Sequence, residues 1–501
     1  MKTIGRIQRI IVAAFFLLLL LPLLGFFGTE MNWEEVCLNR RRLGLLENSV
    51  CLGGLSALLC MMIGLLAAMK IHNGRLRNSN KRWFFLLLAP VPYYIYALMW
   101  MYLVRMLGQF DRRIMSTAMT GLLPSVFVNV MSFLPMVVGL SLVALEHHDT
   151  VLEEMGSVYA HGNLVFRKIV FPAIRPVVLA SGALVFVLSV TDFSVPSLFQ
   201  YQTFTLEIFS EYSRGGNLGE IARLALPLIL IVLAVILVME KGLKSIPVRQ
   251  KQSGNKGLIL SGIQDKAGRI AIVICVLQVT VPLLVFILQI KDWSDLLDSL
   301  LLCSEELLVS LLIALISAVI AVGLAGPTAV WLQKKHHFWW ILAILPMAIP
   351  SSLIGMGLLS AVNGSIIHDI SRTALFPALG CAVKYMPFAV IIFSARARRV
   401  HREELDMAMV YTDGGWDYFR KILIPVYRPA MIGAGSLVFL LTLGEEGIGL
   451  ILMPPGYETL AVKVYNYLHY GASELVSGFC LITIVVTAMI LLTVLKQIGR
   501  K

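Results

Sequence analysis

Three carboxylates stand in or beside stretches that are otherwise apolar: Asp192, Glu445 and Glu446. An acid carried to membrane depth is costly and marks a functional position by default. There it would draw a cation strongly, because screening by water is weak away from bulk solvent, and a hard cation suits carboxylate oxygens. A second signal is mechanical. The run Phe166-Arg167-Lys168-Ile169-Val170-Phe171-Pro172-Ala173-Ile174-Arg175-Pro176 returns as Phe419-Arg420-Lys421-Ile422-Leu423-Ile424-Pro425-Val426-Tyr427-Arg428-Pro429, with eight of the eleven positions identical or conservative. Pro172 and Pro425 lie 253 residues apart, and at the same spacing Glu153 meets Asp406, Gly162 meets Gly415 and Asp192 meets Glu445. The chain reads as a duplication. No serine–histidine–acid set, paired hydrolase carboxylates or phosphate-cradling glycine loop stands out, so no catalytic residue is expected. The seven cysteines are scattered without metal-ligand spacing, so no metal site is expected and buried thiols are the reading.

The segments 153–162 and 406–415 must position the repeated run. They are too short and too charged to span a membrane. Each opens on an acid, favourable at a helix N-terminus, and each closes on a glycine expected to take the left-handed backbone that stops a helix. Pro172 and Pro425 are expected to prevent the helix from simply continuing. The spacing predicts a short helix at the membrane surface, able to dock in a partner's groove.

The 501 residues are 58% hydrophobic and 14% charged, outside the range of a soluble domain. Twelve apolar runs are long enough to cross a bilayer, at about 20 residues each. They lie near 10–28, 48–69, 83–104, 117–145, 177–199, 221–239, 270–290, 305–332, 338–361, 373–394, 430–452 and 475–495. The first comes after Lys2, Arg6 and Arg9 and reads as a retained span. Of the 42 Lys and Arg, 30 fall in the segments on the side of the N-terminus and 10 on the other. That asymmetry places both termini in the cytoplasm. The fold class is therefore all-α and polytopic, with about twelve spans. A first six-span module occupies 1–240, a polar cytoplasmic linker 241–269, and a second six-span module 270–501.

The loops resemble the E-A-A-x3-G-x9-I-x-L-P cytoplasmic loop of ABC-importer permeases. Glu153, Phe166, Ile169, Phe171 and Pro172 match one copy, and Asp406, Ala408, Phe419, Ile422, Ile424 and Pro425 the other. The family's loop glycine is replaced by Tyr159 and Thr412, with Gly162 and Gly415 three residues on. A second resemblance is to fused, two-module ferric-iron permeases. It rests on Thr191-Asp192-Phe193-Ser194-Val195-Pro196, on Thr442-Leu443-Gly444-Glu445, on Met453-Pro454-Pro455-Gly456-Tyr457-Glu458-Thr459-Leu460 and on Tyr465-Asn466-Tyr467-Leu468-His469-Tyr470-Gly471.

The resemblance implies two six-helix type I ABC permease repeats in a bacterial inner membrane, and a translocation subunit rather than an enzyme. Two cytoplasmic ATPase subunits would bind the loops and use ATP and Mg, with no cofactor on this chain. An outer solute-binding protein would deliver substrate. Ferric iron is the substrate implied; thiamine, polyamine and phosphonate importers are related alternatives, and a secondary transporter with midplane sites is a further one. Asp192, Glu445 and Glu446 are then candidates for the substrate path. The topology is testable by labelling introduced cysteines from outside. Positions near Asn217 and Asn466 should react and positions near Asn255 should not; the reverse pattern overturns the orientation.

Overall fold

The computed structural model describes residues 2–27, 39–73, 91–108, 119–147, 150–160, 162–244, 262–290, 299–333, 337–362, 368–400, 405, 407–408, 411–412, 414–470 and 473–498. Among them there are helices and turns and no strand. The first half holds α1 (Lys2–Phe27), α2 (Arg40–Asn73), α3 (Tyr93–Gly108), α4 (Leu122–His147), α5 (Thr150–Tyr159), α6 (Gly162–Val165), α7 (Phe171–Thr191), α8 (Ser194–Leu198), α9 (Phe204–Ser213) and α10 (Leu218–Lys244). The second holds α11 (Gly262–Gln289), α12 (Ser304–Leu332), α13 (His337–Ile344), α14 (Ser351–Val362), α15 (Leu375–Ala397), α16 (Gly415–Tyr418), α17 (Ile424–Leu443), α18 (Gly449–Leu452), α19 (Leu460–Tyr470) and α20 (Ser473–Ile498). A π-helical turn joins α6 to α7 at Phe166–Val170, and another joins α16 to α17 at Phe419–Leu423. The two turns are 253 residues apart at both ends, so the repeat read in the sequence is also a repeat of backbone shape.

Ten helices among the described residues are long and apolar enough to cross a membrane. The pair His337–Ala348 and Ser351–Val362, bent by 104°, passes the same length and composition test only when taken together, as a broken span or a re-entrant loop. The run at 338–361 is thus one broken element, interrupted where Pro346 and Pro350 each lack an amide hydrogen. Of the run at 83–104, residues 83–90 lie outside the described residues; α3, with 16 residues, begins after Pro92. Of the linker at 241–269, residues 245–261 lie outside the described residues, with helix up to Lys244 and from Gly262.

The chain divides into two packing units that interleave the sequence halves. One contains 38–207 and 227–289, the other 1–37, 208–226 and 290–501. In the first unit α2 packs along α4 and α7, and α11 lies on α2 and α3. The Asn129 amide donates to Ser189 Oγ at 2.6 Å, tying α4 to α7. α11 is held by Gln278, whose amide donates to Tyr96 Oη at 2.6 Å, and by the Lys70–Asp265 ion pair. In the second unit α12, α15 and α17 form the corresponding triple, and α1 lies on α12 and α14. Thus each half's opening helix packs in the unit built mainly by the other half.

Small residues make these crossings possible, since lipid offers no hydrophobic drive and association rests on close packing. The tightest is between α1 and α14. A Cβ on Gly357 would stand 2.2 Å from the Pro22 carbonyl oxygen, and one on Gly25 2.1 Å from that of Gly357. Ser360 Oγ donates to the Gly25 carbonyl at 2.8 Å beside them.

The short helices α9 and α19 are pinned similarly in both units. Ser49 Oγ accepts from the Phe204 amide and Ser310 Oγ from the Leu460 amide, each at 2.8 Å. Each unit adds an ion pair, with reversed polarity. Arg41 on α2 grips Glu207 on α9 with two bonds of 2.7 and 2.8 Å, whereas Lys463 on α19 reaches Glu306 on α12 at 2.6 Å. The reversal makes each partner repulsive toward the other copy's long helix, a device for sorting two similar halves.

The close crossing gives a direct test. Gly357→Val should destabilise the purified protein by about 1–3 kcal/mol through overpacking, read as a lower thermal midpoint. Gly54→Ala, where a Cβ meets nothing within 4 Å, should leave the midpoint unchanged. Equal midpoints for both variants would contradict the packing.

Candidate functional site

The duplicated run leads to two kinds of site: a surface loop at one end of α7 and α17, and a buried carboxylate at the other. α5 carries Glu153, and its last residue, Tyr159, is 90% exposed, beside Val158 and Met155, also exposed. In the second loop Asp406 lies outside the described residues. Tyr411 there is 89% exposed, Met407 and Trp416 are exposed, and Thr412 is half-buried. Trp416 stacks on Phe419 with ring centroids 5.6 Å apart. Phe166, its repeat equivalent, is instead buried in a core formed with Leu142, Leu145, Val170 and Ile174. Each loop thus presents large apolar side chains to the surroundings, with its root fixed to a packed helix.

The backbone corrects two sequence expectations. Gly162 and Gly415 are not left-handed; each is the first residue of a helical turn. In the second loop the positive φ falls one residue earlier, at Gly414, with φ 138° and ψ 177°, a conformation that essentially only glycine accepts. Nor do Pro172 and Pro425 interrupt the chain. In both copies the π turn places an i→i−5 bond just before the proline, from the Phe171 amide to Phe166 and from the Ile424 amide to Phe419. A proline clashes with the carbonyl four residues back in a regular helix. The wider turn relieves that clash, and both prolines sit in the first turn of the next helix. Helix is therefore continuous over Phe166–Thr191 and Gly415–Leu443.

At the far end of α7 the chain breaks after Thr191. Asp192 is buried, and its carboxylate accepts from the Ser194 amide at 3.0 Å, from Ser194 Oγ at 2.9 Å and from the Val195 amide at 3.1 Å. The Tyr93 hydroxyl also bonds to it. The acid caps the first turn of α8, replacing partners that the broken helix withholds. Glu445, at the end of α17, does the same work. Its Oε1 accepts from the Ile448 amide at 3.1 Å, the repeat equivalent of Val195. Its Oε2 accepts from Ser351 Oγ at 3.1 Å and from the Tyr385 hydroxyl. Tyr93 and Ser351 are each the first residue after a proline, Pro92 and Pro350, so the two caps share a plan.

The second copy carries more charge than the first. Glu446 comes after Glu445 and is 2% exposed, whereas Phe193 comes after Asp192. Lys384 is buried in α15, interacts electrostatically with Glu445 and donates to the Ile349 carbonyl, freed at the broken element, at 2.5 Å. The equivalent stretch of α4 holds Met131 and Ser132. Tyr465 on α19 has its phenol raised above its usual range, first by burial and then by the Glu446 carboxylate. Among the described residues no three His, Cys, Asp or Glu side chains gather as a metal ion would need. Sequence reasoning singles out the three acids but not Ser351, Tyr385 and Lys384. The usable signal is Lys384 itself, a lysine inside an apolar run.

The cap predicts its own test. Asp192→Ala should cost about 0.5–2 kcal/mol, as loss of a helix cap does, seen as a lower thermal midpoint. An unchanged midpoint would contradict the cap.

Residues 61–242 match the family described as "Binding-protein-dependent transport system inner membrane component". The chain is 27% identical over 204 residues to the protein named 2-aminoethylphosphonate transport system permease PhnV of Salmonella typhimurium, which covers 41% of this chain and 73% of that one. It is 24% identical over 342 residues to the Fe(3+)-transport system permease protein FbpB 2 of Haemophilus influenzae, covering 64% of this chain and 66% of the other. It is 24% identical over 214 residues to the spermidine/putrescine transport system permease protein PotC of Escherichia coli, covering 40% and 76%.

Proposed function

We infer, from the premise that residues 61–242 match the binding-protein-dependent inner-membrane transport family, that the whole chain works as both permease modules of one ABC importer. The observation that carries this is the pair of surface loops, each ending in the same π turn and each exposing a bulky aromatic, Tyr159 and Tyr411. Exposed apolar groups in such number mark an interaction surface. Two ATPase subunits, one per loop, are the partners that a duplicated loop requires, and a binding protein on the outer side completes the importer. The reading keeps both termini in the cytoplasm and the chain in the bacterial inner membrane.

The geometry supplies a mechanical route. From each loop one unbroken helix runs to a buried carboxylate cap. At 1.5 Å per residue, the 26 residues of Phe166–Thr191 form a strut of about 39 Å. Movement of a docked ATPase would pass along the strut to the break beyond Thr191 or Leu443. There, α8 and α18 are short, separately capped turns able to reorient without tearing a long helix. Coupling of this kind is alternating access by rigid elements acting on a hinge.

Ferric iron is the substrate that the ferric-type resemblance favours. The relatives' names span an aminophosphonate, a ferric ion and polyamines, so this architecture serves several chemistries and selection rests on a few side chains. The substrate-path role of Asp192, Glu445 and Glu446 belongs to this proposal. The caps favour a supporting part for Asp192 and Glu445.

The loop reading is checked by co-purification with the ATPase subunits. Tyr159→Asp or Tyr411→Asp should each lower ATPase retention about tenfold or more, while the thermal midpoint of the permease alone is kept, because both side chains are exposed. Full retention in the double variant would contradict the docking role.

A further inference from the structure

We propose that Lys384 and Tyr385 are positioning residues that join the two breaks of the second module into one pivot on α15, so that α14 and α18 turn together when the importer changes state. This deepens the importer reading and rests on it.

Every bond of the pivot is present. Lys384 Nζ donates to the Ile349 carbonyl at 2.5 Å, on the α13 side of Pro350. On the other side of Pro350, the Ser351 hydroxyl donates to Glu445 Oε2 at 3.1 Å, and the Tyr385 hydroxyl donates to the same oxygen. Glu445 Oε1 accepts from the Ile448 amide at 3.1 Å, at the entry to α18. Two neighbouring residues of α15 thus reach both breaks, one directly and one through Glu445. Packing follows the same lines. One turn before Lys384, a Cβ on Gly380 would stand 2.8 Å from Leu452 Cδ1 and 2.9 Å from Ile448 Cγ2. On α14, a Cβ on Gly355 would stand 3.2 Å from Ile451 Cβ. The two glycines let α18 and its entry sit directly against α14 and α15.

The duplication acts as an internal control. Asp192 accepts from the Val195 amide and bonds to the Tyr93 hydroxyl, as Glu445 does with Ile448 and Ser351. The first module therefore closes its break with an acid and the hydroxyl that comes after a proline. On α4 the positions equivalent to Gly380, Lys384 and Tyr385 hold Phe127, Met131 and Ser132. A cap of this kind does not require the lysine or the tyrosine. Lys384 and Glu445 are only 5% and 4% exposed and lie within electrostatic reach of each other. Charged groups at membrane depth are costly and mark function by default. What they add here is a connection: with α15 bonded to both breaks, neither can turn without loading the other.

The test is a crosslink between the two elements. The 3.2 Å spacing of Gly355 and Ile451 is within a few tenths of an ångström of what a disulfide needs. The full chain carrying Gly355→Cys and Ile451→Cys, in complex with its ATPase subunits in lipid nanodiscs, is oxidised without nucleotide and with ATP, Mg and vanadate. The yield of the crosslinked peptide is read by mass spectrometry. It should be the same in both states, because α14 and α18 move together. Tyr385→Phe, which keeps the ring and loses the hydroxyl, should make the yield fall about fivefold or more on adding nucleotide, the scale of one lost hydrogen bond. Lys384→Met should do the same, and Ser132→Ala should change nothing. A role in stability alone would lower the thermal midpoint without making the yield depend on nucleotide. A fall with both side chains intact, an unchanged yield in either folded variant, no crosslink in any state, or failure of both variants to fold would each overturn the proposal. A chain that retains no ATPase overturns the importer reading and this proposal with it; the other outcomes, in a complex that retains ATPase, overturn the pivot alone.

Discussion

A backbone that crosses lipid has no water to bond, so every amide and carbonyl must find its partner within the chain. Regular helix satisfies that demand without help. The places where this chain leaves regular helix therefore need help, and at several of those described a side chain or an altered turn supplies the missing partner. Asp192 and Glu445 accept from the amides freed beyond α7 and α17. Lys384 donates to the carbonyl freed between α13 and α14. The π turns before Pro172 and Pro425 keep the helix whole where an ordinary turn would clash. Removing any of these would leave a polar group buried and unmet, at about 1–3 kcal/mol.

The same constraint explains how function and fold come to share residues. A break in a helix at membrane depth needs polar groups to meet the freed backbone, and the short turn beyond each long helix has them. Once an acid is fixed there for the backbone's sake, few changes are needed to make the neighbourhood selective. The two modules display both states. The first has the cap alone, flanked by Phe193; the second has the cap with Glu446, Lys384 and Tyr385 gathered around it. On the importer reading proposed above, divergence at one copy would alter the surroundings of the break without disturbing the repeated loops.

Much of this is legible in the residues. The apolar runs mark the helices, because length and composition alone decide what can cross a bilayer, and the offset of 253 marks the repeated loop, strut and acid. Prolines mislead in two directions. Pro172 and Pro425 read as stops, yet the preceding π turn, which has no simple sequence signature, carries the helix through. Pro346 and Pro350 read as lying within a single span at 338–361, and the chain there turns by 104°. The exchange of α1 and α11 between packing units is not legible, since nothing in an apolar helix names its partner. Gly25 and Gly357, 332 residues apart in sequence, meet only once the fold is formed. Likewise Tyr385 and Ser351 reach Glu445 from 60 and 94 residues away.

The central claim is that one chain supplies both modules and both motor-docking loops. Native mass spectrometry of the complex purified from membranes tests it most directly. The expected result is one copy of this chain with two ATPase subunits, falling to one ATPase when Tyr411 and Trp416 are replaced by aspartate. A complex of two copies of this chain with two ATPases would contradict it, as would a chain that retains no ATPase at all.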